Sequence, residues 1–251
     1  MERLFRRTTS HSLAIYDRFK TEYGSAANRE AINRCDLVFI SVPTPMKQDG
    51  HGCDVSAVEE CVSWIEAPMC IRSTIAVGTT DRLSAETGKA LCFSPEYLGE
   101  SSFHLWPEDG ACGFLIVGGP DSLVNLVVEA YKPVLASETR FYPTTALTAE
   151  LCKYMENCFL ATKVAFVNQF YDIASAFNVN YEELRHLWLA DPRIGDSHTF
   201  VTEERGFRGR CLPKDLDAMI ATMKPYGGAP LLEAVETYNA GVCTAADNRK
   251  P

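Results

Sequence analysis

The stretch GFRGRCLPKD, residues 206–215, places one thiol, Cys211, among three cations and just ahead of a helical run, LDAMIATM. Pro213 suits the first position of that helix, where its missing N–H costs nothing, and Asp215 falls in the first turn. Cys211 is thereby predicted to lie beside unpaired N–H groups at the positive end of a helix dipole. Arg208, Arg210 and Lys214 are close in sequence. Each of these features favours the thiolate, which is the nucleophilic form. Two readings stand on these residues alone: a half-buried cysteine closing a helix start, or a nucleophile for covalent catalysis.

Such a group needs a scaffold, and the chain shows two rhythms. From about residue 11 to 145, short β-rich runs alternate with helical stretches. The runs are SLAIYD (12–17), DLVFISVP (36–43), MCIRST (69–74), ALCFSPEYL (90–98) and GFLIVGG (113–119). Their nearly continuous apolar character is that of strands buried on both faces. DVSAVEECVSWIE, TTDRLSAETG and PDSLVNLVVEAYKPVL lie between them with helical spacing. This alternation predicts a Rossmann-like α/β domain over 1–145, a mostly parallel sheet between helices. From residue 146 the pattern is all-helical. TAELCKYMENCFLATKVAFVNQFYDIASAFN (148–178) has no proline or glycine and opens on a threonine able to cap; it is expected to be one long buried helix. NYEELRHLWLAD, LPKDLDAMIATM and APLLEAVETYNAGV follow as further helices. A long loop, PRIGDSHTFVTEERGFRGR, separates the first two of these, and a loop that long inside a domain is usually functional. The helical domain is assigned to 146–251.

Composition narrows the function classes. The 251 residues are 46% hydrophobic and 23% charged, with a formal net charge of −9. That charge opposes nucleic-acid binding, which rests on a basic surface. No apolar run approaches the ~20 residues that span a bilayer, and the first residues, MERLFRRTTSHSLAIYD, lack the apolar core of a signal peptide. Ten cysteines include no CxxC pair, so no metal is expected and thiols in a reducing cytoplasm are the simplest assignment.

Several motifs now act together. DLVFISVPTP, IRSTIAVGTT, FSPEYLGES, AELCKYMENCFLATKVAFVNQ, DPRIG and GFRGRCLPKD occur in this order, and in order and spacing the chain resembles the UDP-glucose/GDP-mannose dehydrogenase family over about residues 13–224. The resemblance implies NAD-dependent oxidation of the C6 alcohol of a nucleotide sugar to a carboxylate. UDP-glucose is the first expected substrate; GDP-mannose and a UDP-N-acetylhexosamine stand behind it. It also implies Cys211 as the nucleophile that forms a thiohemiacetal and then a thioester. Lys153 and Asn157, four apart on the long helix, would act on the reacting oxygen. Asp215, Glu96 and Thr74 complete the implied catalytic set. NAD would meet Asp17, Val42, Pro43, Thr44, Ser73, Thr74, Glu100 and Lys214. The sugar nucleotide would meet Glu96, Tyr97, Leu98, Gly99, Glu100, Lys153, Asn157, Arg193, and Gly206, Phe207 and Arg208 of the loop 202–208. A homodimer through the long helix is expected, because Phe159, Phe166 and Phe170 cannot all face one intrachain neighbour.

The chain also departs from the family pattern. Arg208 stands where the family has the first of two paired glycines, which predicts strain if that position needs φ > 0. Nothing resembles the family's C-terminal domain. No glycine occurs in the sixteen residues before Asp17, so the first strand and its GxGxxG turn are expected to be missing and NAD to bind poorly. These departures leave a second reading: a non-catalytic nucleotide-sugar-binding or interaction protein on the same scaffold.

Overall fold

The computed structural model describes residues 2–6, 10–47, 52–97 and 112–248. Two compact units divide the chain. One holds Met1–Pro45 and Asp54–Lys153, the other Met46–Cys53 and Tyr154–Pro251.

Among the described residues the first unit holds a five-stranded sheet in the order β1-β2-β3-β4-β5. Strands β1 (Val38–Ile40), β2 (Met69–Ile71) and β3 (Leu91–Phe93) run parallel, with Phe39 opposite Cys70 and Cys70 opposite Cys92. β4 (Phe114–Gly118) joins β3 antiparallel through Phe93 and Gly118, and β5 (Arg140–Thr144) runs parallel to β4. The pleat explains why the central strands are apolar at every position. Met69, Ile71, Leu91 and Phe93 enter one core with Val58 and Val62 of α3 (Ser56–Trp64) and Leu83 of α4 (Thr79–Thr87). Cys70 and Cys92 face the other way. They meet Leu123, Val124, Val127 and Tyr131 of α5 (Asp121–Tyr131) and Leu4 and Phe5 of α1 (Glu2–Phe5). Phe5 lies 5.5 Å from Phe39 and 5.1 Å from Tyr131, ring to ring. A sheet covered on both faces has no polar side to alternate with.

Three features of this unit differ from the sequence reading. Residues 12–17 form no strand: Asn28 Nδ2 donates to the Ile15 carbonyl and the Asp17 N–H bonds Tyr23 O, so these backbone groups are used locally instead of in a ladder. Helix α2 (Ala26–Ile32) was not anticipated; Ser25 caps it by accepting the Asn28 N–H. β5 was not anticipated either. It carries Pro143 opposite Val117, and proline in a strand is tolerated at a sheet edge, the place β5 holds among the described strands.

The long helix α6 runs Ala146–Ala176, its first turn capped by Thr145 Oγ1, which accepts the Thr148 N–H at 3.2 Å. The cap is therefore three residues ahead of the threonine expected from sequence. In the second unit Cys158, Ala161, Val164 and Ala165 of α6 pack with Phe207, with Leu216 and Ile220 of α8 (Leu212–Met223), and with Val235 of α9 (Pro230–Asp247). Farther along α6, Val167 and Ala174 meet Tyr181 of α7 (Tyr181–Trp188). The helix is not buried all round: Met155 is 77% exposed and Phe159 62%, and Phe166, Phe170 and Ile173 are exposed as well. Among the described residues no helix is long and apolar enough to cross a membrane.

Candidate active site

In the first unit the parallel strands β1 and β2 end in loops that are stitched together. Ser73 Oγ accepts the Val42 N–H at 2.8 Å and donates to the Val42 carbonyl at 2.7 Å. Thr44 Oγ1 donates to the Thr74 carbonyl at 2.6 Å. Val42, Pro43 and Thr44 are thus fixed beside Ser73 and Thr74 at the carboxyl ends of the strands, where open α/β sheets take their ligands. Glu96 follows β3, with Arg72 Nη2 3.6 Å from its Oε1. The Arg72 side chain is 3% exposed against 31% for Glu96, so a buried cation faces a carboxylate that reaches solvent. Arg72 also stands 5.7 Å from the Tyr131 ring centroid. The Lys153 ammonium lies 4.8 Å from the Tyr97 ring centroid, and both residues are buried. A cation over a ring face is attracted by the ring's quadrupole, which holds the side chain in place. Asp17 is engaged in its own turn, Oδ1 accepting the Phe19 N–H at 3.0 Å. Leu98, Gly99 and Glu100 lie outside the described residues.

Sequence reasoning missed Glu150. This carboxylate on α6 is 1% exposed and accepts the Gly78 N–H at 2.5 Å, the Thr80 N–H at 3.0 Å and the Thr80 hydroxyl at 2.6 Å. It caps α4, whose N-cap, Gly78, has no side chain to do so. Burial pushes the Glu150 carboxyl up, against the pull of those three hydrogen bonds. Arg72 was missed as well, since an arginine beside a strand end carries no local mark of burial.

In the second unit Cys211 is the N-cap of α8, in αR geometry (φ −92°, ψ −62°), exposed and with no side-chain capping bond. Leu212 takes the first helical position and Pro213 the next, one residue later than expected. The Cys211 carbonyl accepts the Asp215 N–H at 2.9 Å. The Asp215 carboxylate is 1% exposed; Oδ2 takes Asn157 Nδ2 at 2.5 Å, and Oδ1 lies 2.8 Å from Lys214 Nζ. A buried carboxylate that is both ion-paired and hydrogen-bonded is a stable anchor, and losing either partner strands a charge. Burial, then the Asp215 charge, push the neighbouring Cys158 thiol up to about 12, so of these two thiols Cys211 is the one open to chemistry. None of the ten cysteines is in a disulfide. Arg193 pairs with Asp191 at 2.5 Å, its side chain 87% exposed. Gly206 has φ +63°, and Phe207 is buried. Arg208 is not at positive φ, so the backbone strain expected there is absent; its guanidinium reaches Asp247 at 3.0 Å. Among the described residues no group of three His, Cys, Asp or Glu side chains could hold a metal ion.

The sequence matches two family models, the NAD binding domain of the UDP-glucose/GDP-mannose dehydrogenase family over residues 16–104 and its central domain over 147–241. The chain belongs to this family. The first match carries Asp17, Val42–Thr44, Ser73, Thr74 and the segment from Glu96 to Glu100; the second carries Lys153, Asn157, Arg193, Cys211 and Asp215. A UDP-glucose 6-dehydrogenase of Rhizobium meliloti is 32% identical over 240 residues, 88% of this chain and 52% of that protein. The UDP-glucose 6-dehydrogenase YwqF of Bacillus subtilis is 27% identical over 237 residues, again 88% of this chain and 50% of that one. The chain spans about half the length of these curated relatives. The fold is shared with a UDP-glucose dehydrogenase of Pyrobaculum islandicum (TM-score 0.74, 24% identity, 96% of this chain and 60% of that one). It is shared too with a UDP-D-ManNAc dehydrogenase of Pyrococcus horikoshii (TM-score 0.69, 24% identity, 95% and 60%).

Proposed function

We propose that the chain serves NAD-dependent oxidation of a nucleotide sugar at C6, with UDP-glucose as substrate and Cys211 as nucleophile. The observation that carries this reading is the buried Asn157–Asp215–Lys214 cluster one helical turn from the exposed thiol of Cys211. The stitched loops at Val42–Thr44 and Ser73–Thr74 suit NAD, which supplies the hydride acceptor when bound. The residues of the chain divide the remaining work. Lys153, as the free amine, takes the proton of the C6 hydroxyl as the alcohol is oxidised to the aldehyde. The Cys211 thiolate then adds to the aldehyde carbon, its electron pair forming the C–S bond while the carbonyl pair moves onto oxygen. Asn157 donates a hydrogen bond to that oxygen. A second oxidation turns the thiohemiacetal into a thioester. Glu96, held by Arg72, removes a proton from water, which attacks the thioester and expels the Cys211 thiolate. Asp215 fixes Asn157 and Lys214 beside the thiol throughout.

The exposed apolar residues of α6, Met155, Phe159, Phe166 and Phe170 among them, support a homodimer through this helix. Cysteines outside disulfides fit a reducing cytoplasm. Purified protein given NAD with UDP-glucose, GDP-mannose or a UDP-N-acetylhexosamine in parallel tests the substrate. NADH formation fastest from UDP-glucose is expected. Binding of the sugar nucleotides without NADH from any of them would overturn the enzymatic reading in favour of a binding protein.

A further inference from the structure

The loop that leads into Cys211 is read by one face of α9. Asn239, Cys243 and Asp247 are four residues apart and therefore share a face. Asn239 takes both backbone groups of Phe207, Oδ1 accepting its N–H at 2.7 Å and Nδ2 donating to its carbonyl at 3.0 Å. One turn on, the Cys243 thiol donates to the Arg205 carbonyl at 3.7 Å, and the Cys243 carbonyl accepts Arg208 Nη2 at 3.1 Å. A further turn brings Asp247 Oδ1 to the same Arg208 nitrogen at 3.0 Å. The fit is close: a Cβ on Gly206 would stand 2.5 Å from Asn239 Oδ1 and 2.8 Å from Cys243 Sγ. From the other side, Asn168 Oδ1 of α6 accepts the Gly206 N–H at 3.1 Å and Arg205 Nε at 2.8 Å.

We infer that this face of α9 positions Cys211, with Asn239 as the positioning residue, and that Arg208 latches the last turn of α9 onto the loop. Asn239 must offer one donor and one acceptor to a single residue's backbone, which an amide does and neither a carboxylate nor an alkyl group can. Phe207 is four residues from Cys211, so fixing both of its backbone groups leaves a short tether. Arg208 meets a carbonyl of the last turn of α9, the negative end of that helix. Its 37% exposed side chain makes this part of the latch sensitive to salt. The catalytic meaning of the device rests on the proposed role of Cys211; the device itself does not.

Hydrogen exchange over residues 204–211 and the pH profile of Cys211 alkylation by iodoacetamide, mapped by mass spectrometry, test it without turnover. Asn239→Leu is expected to speed exchange there roughly tenfold, the effect of one to two net hydrogen bonds. It should also raise the pH midpoint of alkylation as Cys211 leaves the start of α8. Asn239→Asp, which keeps the acceptor for Phe207, is expected to fall between it and the parent, and carries the test if the leucine variant does not fold. Arg208→Gly should speed exchange a few-fold at low salt, with the parent approaching it at high salt. Exchange or alkylation unchanged in folded Asn239 variants would overturn the inference. A protein that makes no NADH yet shows these shifts fails the proposed function and leaves the inference standing.

Discussion

Removing the Glu150 carboxylate is expected to cost more than an ordinary helix substitution. It accepts three hydrogen bonds while 1% exposed, two of them from the N–H groups of Gly78 and Thr80 at the start of α4. Glu150→Ala leaves both N–H groups without that acceptor. At about 1–3 kcal/mol for each buried unsatisfied group the loss is roughly 2–6 kcal/mol, from a typical total of about 5–15 kcal/mol. Glu150→Gln keeps one oxygen but turns an NH2 toward a donor, and is expected to cost about 1–3 kcal/mol. The pH dependence has a definite sign. Burial raises the folded pKa of Glu150, so between the unfolded value of about 4.3 and the raised folded value the native state holds more proton than the unfolded state. This contribution is fully present below the unfolded pKa and is lost as pH rises through the folded one. Glu150→Gln removes that slope, and the gap to the parent protein should be wider on the acid side of the window than above it. Urea unfolding across this pH range measures both effects. Variants within 0.5 kcal/mol of the parent at neutral pH would refute the reasoning.

Gly118→Ala should lower the melting temperature, because the added Cβ would overlap the Thr145 carbonyl oxygen and lie 2.8 Å from Ala149 Cβ; overpacking of this kind costs about 1–3 kcal/mol, read by calorimetry. Brief alkylation of the native protein near pH 8, followed by peptide mapping, should modify exposed Cys211 and spare Cys158, whose thiol is pushed up to about 12. Sedimentation at micromolar concentration should show a dimer that Phe159→Asp converts to monomer with little change in melting, since Phe159 is 62% exposed in the single chain.

Much of this architecture is legible residue by residue. The buried strands β2 and β3 announce themselves as apolar runs bounded by Pro68, Ser73, Lys89 and Ser94, and α8 by Pro213 followed by helical spacing. What escaped depends on distant partners. β5 shows mixed exposure and a proline, so nothing local separates it from a loop; only its pairing with β4 makes it a strand. Residues 12–17 have the composition of a strand but find no ladder, their carbonyl and N–H groups going to Asn28 and Tyr23. α2 carries a signal of its own, a serine three residues before an asparagine, but it is too short to show long apolar spacing. Cys211, Asn157 and Asp215 were found through motifs, and the structure brings Asn157 to Asp215 within the second unit. Nothing local marks Glu150, because its partners, Gly78 and Thr80, lie about seventy positions upstream. The stripe Asn239, Cys243 and Asp247 had helical periodicity, but no pattern in sequence says that a loop lies against it.

The central claim, oxidation through a covalent adduct at Cys211, is tested most directly by the ratio of NADH to uronate formed from UDP-glucose, compared between the parent protein and Cys211→Ser. An alcohol taken to a carboxylate releases two hydrides, so the parent should form twice as much NADH as UDP-glucuronate. The serine variant should form no uronate while still binding UDP-glucose, because its hydroxyl is a poor nucleophile and its ester a poor intermediate. Uronate formed by the serine variant at the parent's rate would contradict the account.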